Sequence, residues 1–171
     1  MKRLLIRTGK YLIYVTAGLP LLSANWPWDY VRVNMPVSLA VGQVKTPEFK
    51  VKNNRYIIEI VAKRRIPFAD LCCMMGLSTG PLDRYNCKKE PIIQANWTVW
   101  SEGRIVAQGH PNDAHTAFSS SDEVGLSLGE FDGKSGKLYS LEVDFIKDGS
   151  ALNVTDPHLK VETDNVSDMA F

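Results

Sequence analysis

The chain has no long apolar run. Its apolar stretch Tyr11–Leu22, broken late by Pro20, is roughly a dozen residues where a spanning helix needs about 20. A multi-pass membrane protein is not suggested, and a signal-type hydrophobic region is the better fit. Acids are missing from residues 1–24, which hold Lys2, Arg3, Arg7 and Lys10; this leaves 16 basic against 19 acidic residues in the remainder. That remainder, at a net −3, lacks the basic footprint of a nucleic-acid binder. No cysteine stands near Leu22-Ser23-Ala24, so lipoprotein processing has no acceptor. Neither S-x-x-K nor H-E-x-x-H occurs, and no nucleophile elbow is read. Solenoid repeats, heptads and dinucleotide fingerprints are absent too. No cofactor is called for.

What is present is period-two alternation. In Lys137–Phe145, Tyr139, Leu141, Val143 and Phe145 alternate with Leu138, Ser140, Glu142 and Asp144. This is the pattern of a strand with one buried side. Turn residues bracket it, Asp132–Gly136 before and Lys147–Ser150 after. Arg55–Ala62 carries apolar residues on both sides, as a central strand covered on more than one face does. Asn53-Asn54 before it predicts a two-residue hairpin turn. Pro91–Trp100 and Arg104–Gln108 flank Ser101-Glu102-Gly103 as a second hairpin.

Shorter strands are predicted at Val31–Val33, Val37–Val41, Phe49–Val51, Val124–Leu128, Ala151–Val154 and Leu159–Val161. Lys63–Glu90 is irregular apart from a short helix over Phe68–Met75, and His110–Asp122 reads as a polar loop. About eight short strands with turns every 8–12 residues predict an all-β antiparallel sandwich, immunoglobulin-like or jelly-roll-like. Residues 1–24 are then a signal peptide or membrane anchor, and residues 25–171 the sandwich domain.

The candidate chemistry is sparse. Export favours pairing of thiols, and a bridge from Cys73 (or Cys72) to Cys87 closes a loop of about 15 residues worth on the order of 3 kcal/mol. The cysteine left over reads as a buried small apolar residue. His110, Asp113 and His115 offer two imidazoles and a carboxylate to a metal, in a spacing that matches no defined motif. Glu142 and Asp144 share one strand face, whereas glycosidic chemistry needs two carboxylates across a cleft. Trp97 falls on a core face. Trp100, on the opposite face, is the candidate ligand-contact aromatic for a carbohydrate.

Gly136, Tyr139, Leu141, Val143, Leu152, Pro157, Leu159 and Val161 form a G-x-Y-x-L-x-V strand, a turn, a leucine and a P-x-L-x-V strand. This framework resembles small exported bacterial proteins of an uncharacterised domain family, over roughly a fifth of the chain. The resemblance implies a periplasmic sandwich and brings no catalytic residue with it. The resulting expectation is a non-enzymatic periplasmic, secreted or inner-membrane-anchored module that binds a protein or envelope component, with an immunity-like role as an analogy. Its rivals are a carbohydrate-binding module and a metal-dependent enzyme using the 110–115 loop.

Overall fold

The computed structural model describes residues 31–76, 91–111 and 115–164, with the backbone alone at 115–119. Ten strands run in chain order: β1 (Val31–Pro36), β2 (Gly42–Lys45), β3 (Phe49–Lys50), β4 (Asn54–Lys63), β5 (Ala95–Ser101), β6 (Arg104–Gly109), β7 (His115–Ser119), β8 (Glu123–Gly133), β9 (Leu138–Phe145) and β10 (His158–Thr163). A helix, α1 (Phe68–Met75), lies between β4 and β5, and a 3₁₀ segment (Ser150–Thr155) between β9 and β10. The first sheet has the order β1-β10-β4-β8-β7; the second is β2-β9-β5-β6, with β3 also on β9. Every pairing is antiparallel. The all-β sandwich read from the alternation is the fold of the described residues.

The two sheets meet through alternate residues. Tyr56, Ile58 and Ile60 of β4 and Tyr139, Leu141, Val143 and Phe145 of β9 are all buried in one cluster. Burying side chains of this size contributes about 1.5–3 kcal/mol each. Trp97 crosses the interface, its indole N–H donating to the Leu128 carbonyl at 2.7 Å. That carbonyl is free because β8 carries a bulge where its pairing with β4 shifts between Ile58 and Glu59. A Cβ at Gly109 or Gly129 would run into the Trp97 ring, so both glycines make room for the tryptophan. Phe131 and Tyr139 add a ring contact between sheets at 5.7 Å.

The predicted helix is present and ends at Gly76, which takes a left-handed φ of 82° and returns its N–H to the last turn. The β5–β6 hairpin forms as expected, with Glu102 and Gly103 at positive φ in its turn. Four expectations fail. Asn53-Asn54 is not a hairpin turn, because β3 joins β9 in the second sheet while β4 joins the first; the chain crosses the sandwich there, and Asn53 Oδ1 accepts the Ser135 N–H instead. Val37–Val41 buries Val37 and Leu39 but pairs with no strand. Its backbone is held by Pro157 O, Asn153 Oδ1 and the Gly149 N–H. Ala151–Val154 is 3₁₀, not strand, with Leu152 and Thr155 buried one turn apart. The polar loop at 110–122 contains β7, which pairs with β8 at the sheet edge.

Candidate functional site

Along β4 the residues facing away from the core are Ile57, Glu59, Val61 and Lys63, by alternation from the buried Tyr56, Ile58 and Ile60. The register across the first sheet places Asn34, Lys160, Glu59, Ser127 and His115 in one row over all five strands. Glu59 is 2% exposed and its Oε2 has no hydrogen-bond partner among the described residues; the Ser127 hydroxyl is in the same condition. Burial pushes the Glu59 carboxyl up to about 7, with the Glu162 charge adding to the rise and Lys160 opposing it.

Ser127 also corrects the motif reading. Gly125-Leu126-Ser127-Leu128-Gly129 has the letters of a G-x-S-x-G elbow. An elbow is a sharp strand-to-helix turn that lifts the serine into the open. This serine lies inside β8 and is fully buried, so it offers no accessible nucleophile.

Next to Glu59 on the same face, Val61 contributes to a cavity of ≈190 Å³ lined also by Asn34, Lys63, Glu123, Asp156, His158 and Lys160. A groove of ≈300 Å³ adjoins it through the shared Lys63 and Glu123 and adds Arg64, Arg65, Ser121 and Asp122. A third, of ≈340 Å³, shares Asp156 and runs along Pro36–Ser38, Asn153 and Pro157. The three recesses therefore share lining residues at one corner of the first sheet.

Asp156 is the hub of that corner. Its carboxylate accepts from Lys63 Nζ at 2.5 Å, lies 3.4 Å from Arg65 Nη2 and 3.8 Å from His158 Nε2. The Lys63 hydrogen bond, with the Lys63, Arg65 and His158 charges behind it, holds the carboxyl below the usual carboxylate range. His158 Nδ1 lies 2.7 Å from Asn34 Oδ1, and Lys160 reaches Glu123 at 3.2 Å. Arg64 is committed elsewhere: its guanidinium sits 4.4 Å over the Phe68 ring and donates to Ser121 O at 2.8 Å. Chemically, this is a mixed-charge surface with the partly exposed cations Lys63 and Arg65 beside the Asp156 carboxylate.

The residues singled out from the sequence lie elsewhere. Cys72 is a free, buried thiol whose pKa is raised by burial, and Cys73 is disulfide-bonded; Cys87 lies outside the described residues. Trp100 is half-buried and its indole N–H donates to Glu142 Oε2 at 3.1 Å. Its cross-strand neighbours are Ser140 and Ile105, so no second aromatic joins it in a flat strip among the described residues. His110 pairs with Asn96 at 3.2 Å. Asp113 lies outside the described residues, and His115 is placed by backbone register alone, opposite Ser127. Among the described residues no group of three or more His, Cys, Asp or Glu is gathered for a metal.

Sequence reasoning passed over Glu59 and Asp156. A single acid inside the apolar run Tyr56–Ala62 was the available signal for Glu59. For Asp156 no signal existed, since its partners Lys63 and Arg65 are more than ninety residues away. Among the described residues no helix is long and apolar enough to cross a membrane.

No family model matches the chain, and no curated protein does. Among solved structures it is similar to a crystal structure of a protein from Sulfurospirillum deleyianum, at 13% identity and a TM-score of 0.54, covering 77% of this chain and 96% of that one. That likeness is one of fold.

Proposed function

We propose that this chain is an exported, non-enzymatic binding module of a bacterial envelope, and that it meets its partner at the Lys63–Asp156 corner. In this reading residues 1–24 are the signal peptide or inner-membrane anchor, and the domain is an immunoglobulin-like or jelly-roll-like sandwich stapled by Cys73 and Cys87 in the oxidising compartment. The partner is a protein or another envelope component; an immunity-like role remains an analogy.

One observation carries the reading. Three recesses converge on Lys63, Glu123 and Asp156, beside a carboxylate buried at Glu59. Clustered relief with fixed polar groups is where ligands and partners are taken. The carbohydrate rival needs an exposed aromatic platform, and Trp100 is half-buried with its N–H already donated to Glu142. The 110–115 loop enzyme would need a gathered ligand set, to which the described residues contribute His110 on Asn96.

Photo-crosslinking tests the proposal. A photo-reactive phenylalanine analogue in place of Arg65 should yield a discrete adduct in the envelope fraction, and the same group in place of the exposed Gln43 on β2 should not. Equal yields from both positions, or an adduct with neither, would overturn it. Glycan binding abolished by Trp100→Ala would favour the carbohydrate rival.

A further inference from the structure

Resting on that binding role, we propose that the corner docks a carboxylate-bearing segment of a protein partner, and that Asp156 is an internal latch occupying the position the partner's carboxylate takes. Lys63, Arg65 and His158 converge on this one acid. They come from the end of β4, the loop after it and the start of β10, so the fold has gathered them around a single anionic position.

The backbone at Asp156 supports a role for the charge itself. It sits between the 3₁₀ segment and β10 at a φ of 53°. Glycine meets that conformation at no steric cost and asparagine tolerates it as well as aspartate does. The turn therefore does not require an acid, whereas the Lys63 ammonium and the Arg65 guanidinium call for one.

Exchange is also physically cheap. The Asp156 side chain is 35% exposed, Lys63 44% and Arg65 55%, so an incoming carboxylate need not enter a dry site. Lys63 and Arg65 stay paired throughout, and no buried charge is left alone. Asp156 lines the ≈190 Å³ and ≈340 Å³ recesses and Lys63 the ≈190 Å³ and ≈300 Å³ ones, leaving relief on both sides for the rest of a segment. The neighbouring strand sets the polarity, Glu123 standing opposite Lys63 in the β4–β8 register. Glu123 is held by Lys160, while Asp122 repels a second acid, so the segment must turn its carboxylates toward Lys63 and Arg65. Arg64 has its guanidinium on Phe68 and on backbone carbonyls and adds nothing to this contact.

Fluorescence anisotropy on the full chain, with a labelled deca-glutamate peptide as probe and deca-lysine as control, tests this at low ionic strength. Asp156→Asn should bind deca-glutamate roughly five-fold tighter than wild type, the size of one exposed ion pair. Asp156→Gly should do the same if the asparagine variant fails to fold. Adding Lys63→Glu and Arg65→Glu to Asp156→Asn should abolish binding, and Arg104→Glu on β6 should leave it unchanged. No tightening in either Asp156 variant, or binding indifferent to the double reversal, would overturn the latch. Inorganic phosphate displacing the probe completely at low millimolar concentration would reduce the site to a free-anion site and overturn the segment. An Arg65 adduct in cells without any Asp156 effect would leave the module standing and remove the latch. A clear Asp156 effect without an adduct would remove the protein partner.

Discussion

The central strands of the two sheets have opposite surroundings. In β9, Tyr139, Leu141, Val143 and Phe145 are buried while Leu138, Ser140, Glu142 and Asp144 are not. In β4, burial is continuous from Ile58 to Ala62, so Glu59 and Val61 on the outward side are as covered as Ile58 and Ile60 on the inward side. The second sheet thus presents a wet face, where Glu142 is satisfied by Lys45 and Trp100. The first sheet presents a face with a closed centre, a protonatable carboxyl inside it and relief at its corner. A carboxylate at the middle of a sheet is solubilising on one side of this molecule and a stored liability on the other. Keeping an acid under that cover costs stability that the wet face of β9 does not incur, since Glu59 Oε2 is buried without a hydrogen-bond partner among the described residues.

The largest effects should come from neighbouring positions that separate the two strands. Leu141→Ala should cost about 2–5 kcal/mol in urea unfolding, because Leu141 is fully buried. Leu138→Ala on the other side of β9 should stay within about 0.5 kcal/mol, as Leu138 is 44% exposed. On β4 the contrast should vanish: Ile60→Ala on the inward side and Val61→Ala on the outward side should both exceed about 1 kcal/mol. A neutral Val61→Ala would show that β4 is covered on one face alone and would break the comparison.

The next effect is in pH. Glu59 is raised in the folded chain from 4.5 to about 7, so the folded state binds the proton more tightly than the unfolded one. Its contribution is fully present below about pH 4.5 and is lost as pH rises through 7. Wild type should therefore lose roughly 2–3 kcal/mol relative to Glu59→Gln between pH 5 and pH 8. The raised Glu162 works in the same sense. Glu142, Asp148 and Asp156, whose values are lowered, work in the opposite sense and at more acid pH. Stability differences between wild type and Glu59→Gln that do not change with pH would show that the carboxyl is solvated after all.

Both burial patterns were legible as letters. Strict alternation over Lys137–Phe145 indicated one wet side, and the mixed run Arg55–Ala62 indicated cover on two. The β5–β6 hairpin was legible because Glu102-Gly103 supplies the positive φ its turn needs. Where period two failed, the cause was a partner that was not a strand. Leu39 is buried against the 3₁₀ segment through Asn153 and Gly149, and Leu152 is buried from within that segment; short alternation around a leucine fits either geometry. Glu59 was visible only as an exception inside an apolar run. Asp156 was not visible at all, because its meaning depends on cations that arrive from β4 through the register of β10.

The smallest effect probes the wet face itself. Lys45 Nζ lies 2.7 Å from Glu142 Oε1, with side-chain exposures of 61% and 23%. The hydrogen bond to Lys45 and then its charge lower the Glu142 pKa, with Trp100 adding a weaker share. A double-mutant cycle with Lys45→Ala and Glu142→Ala should return a small favourable coupling that fades in 1 M salt. Trp100→Phe, which keeps the ring and removes the donor, should change stability by no more than about 1 kcal/mol. Couplings well above this would mean that the outer face of β9 is as organised as that of β4. The difference between the two strands would then lie in which residues are charged and not in how deeply each face is covered.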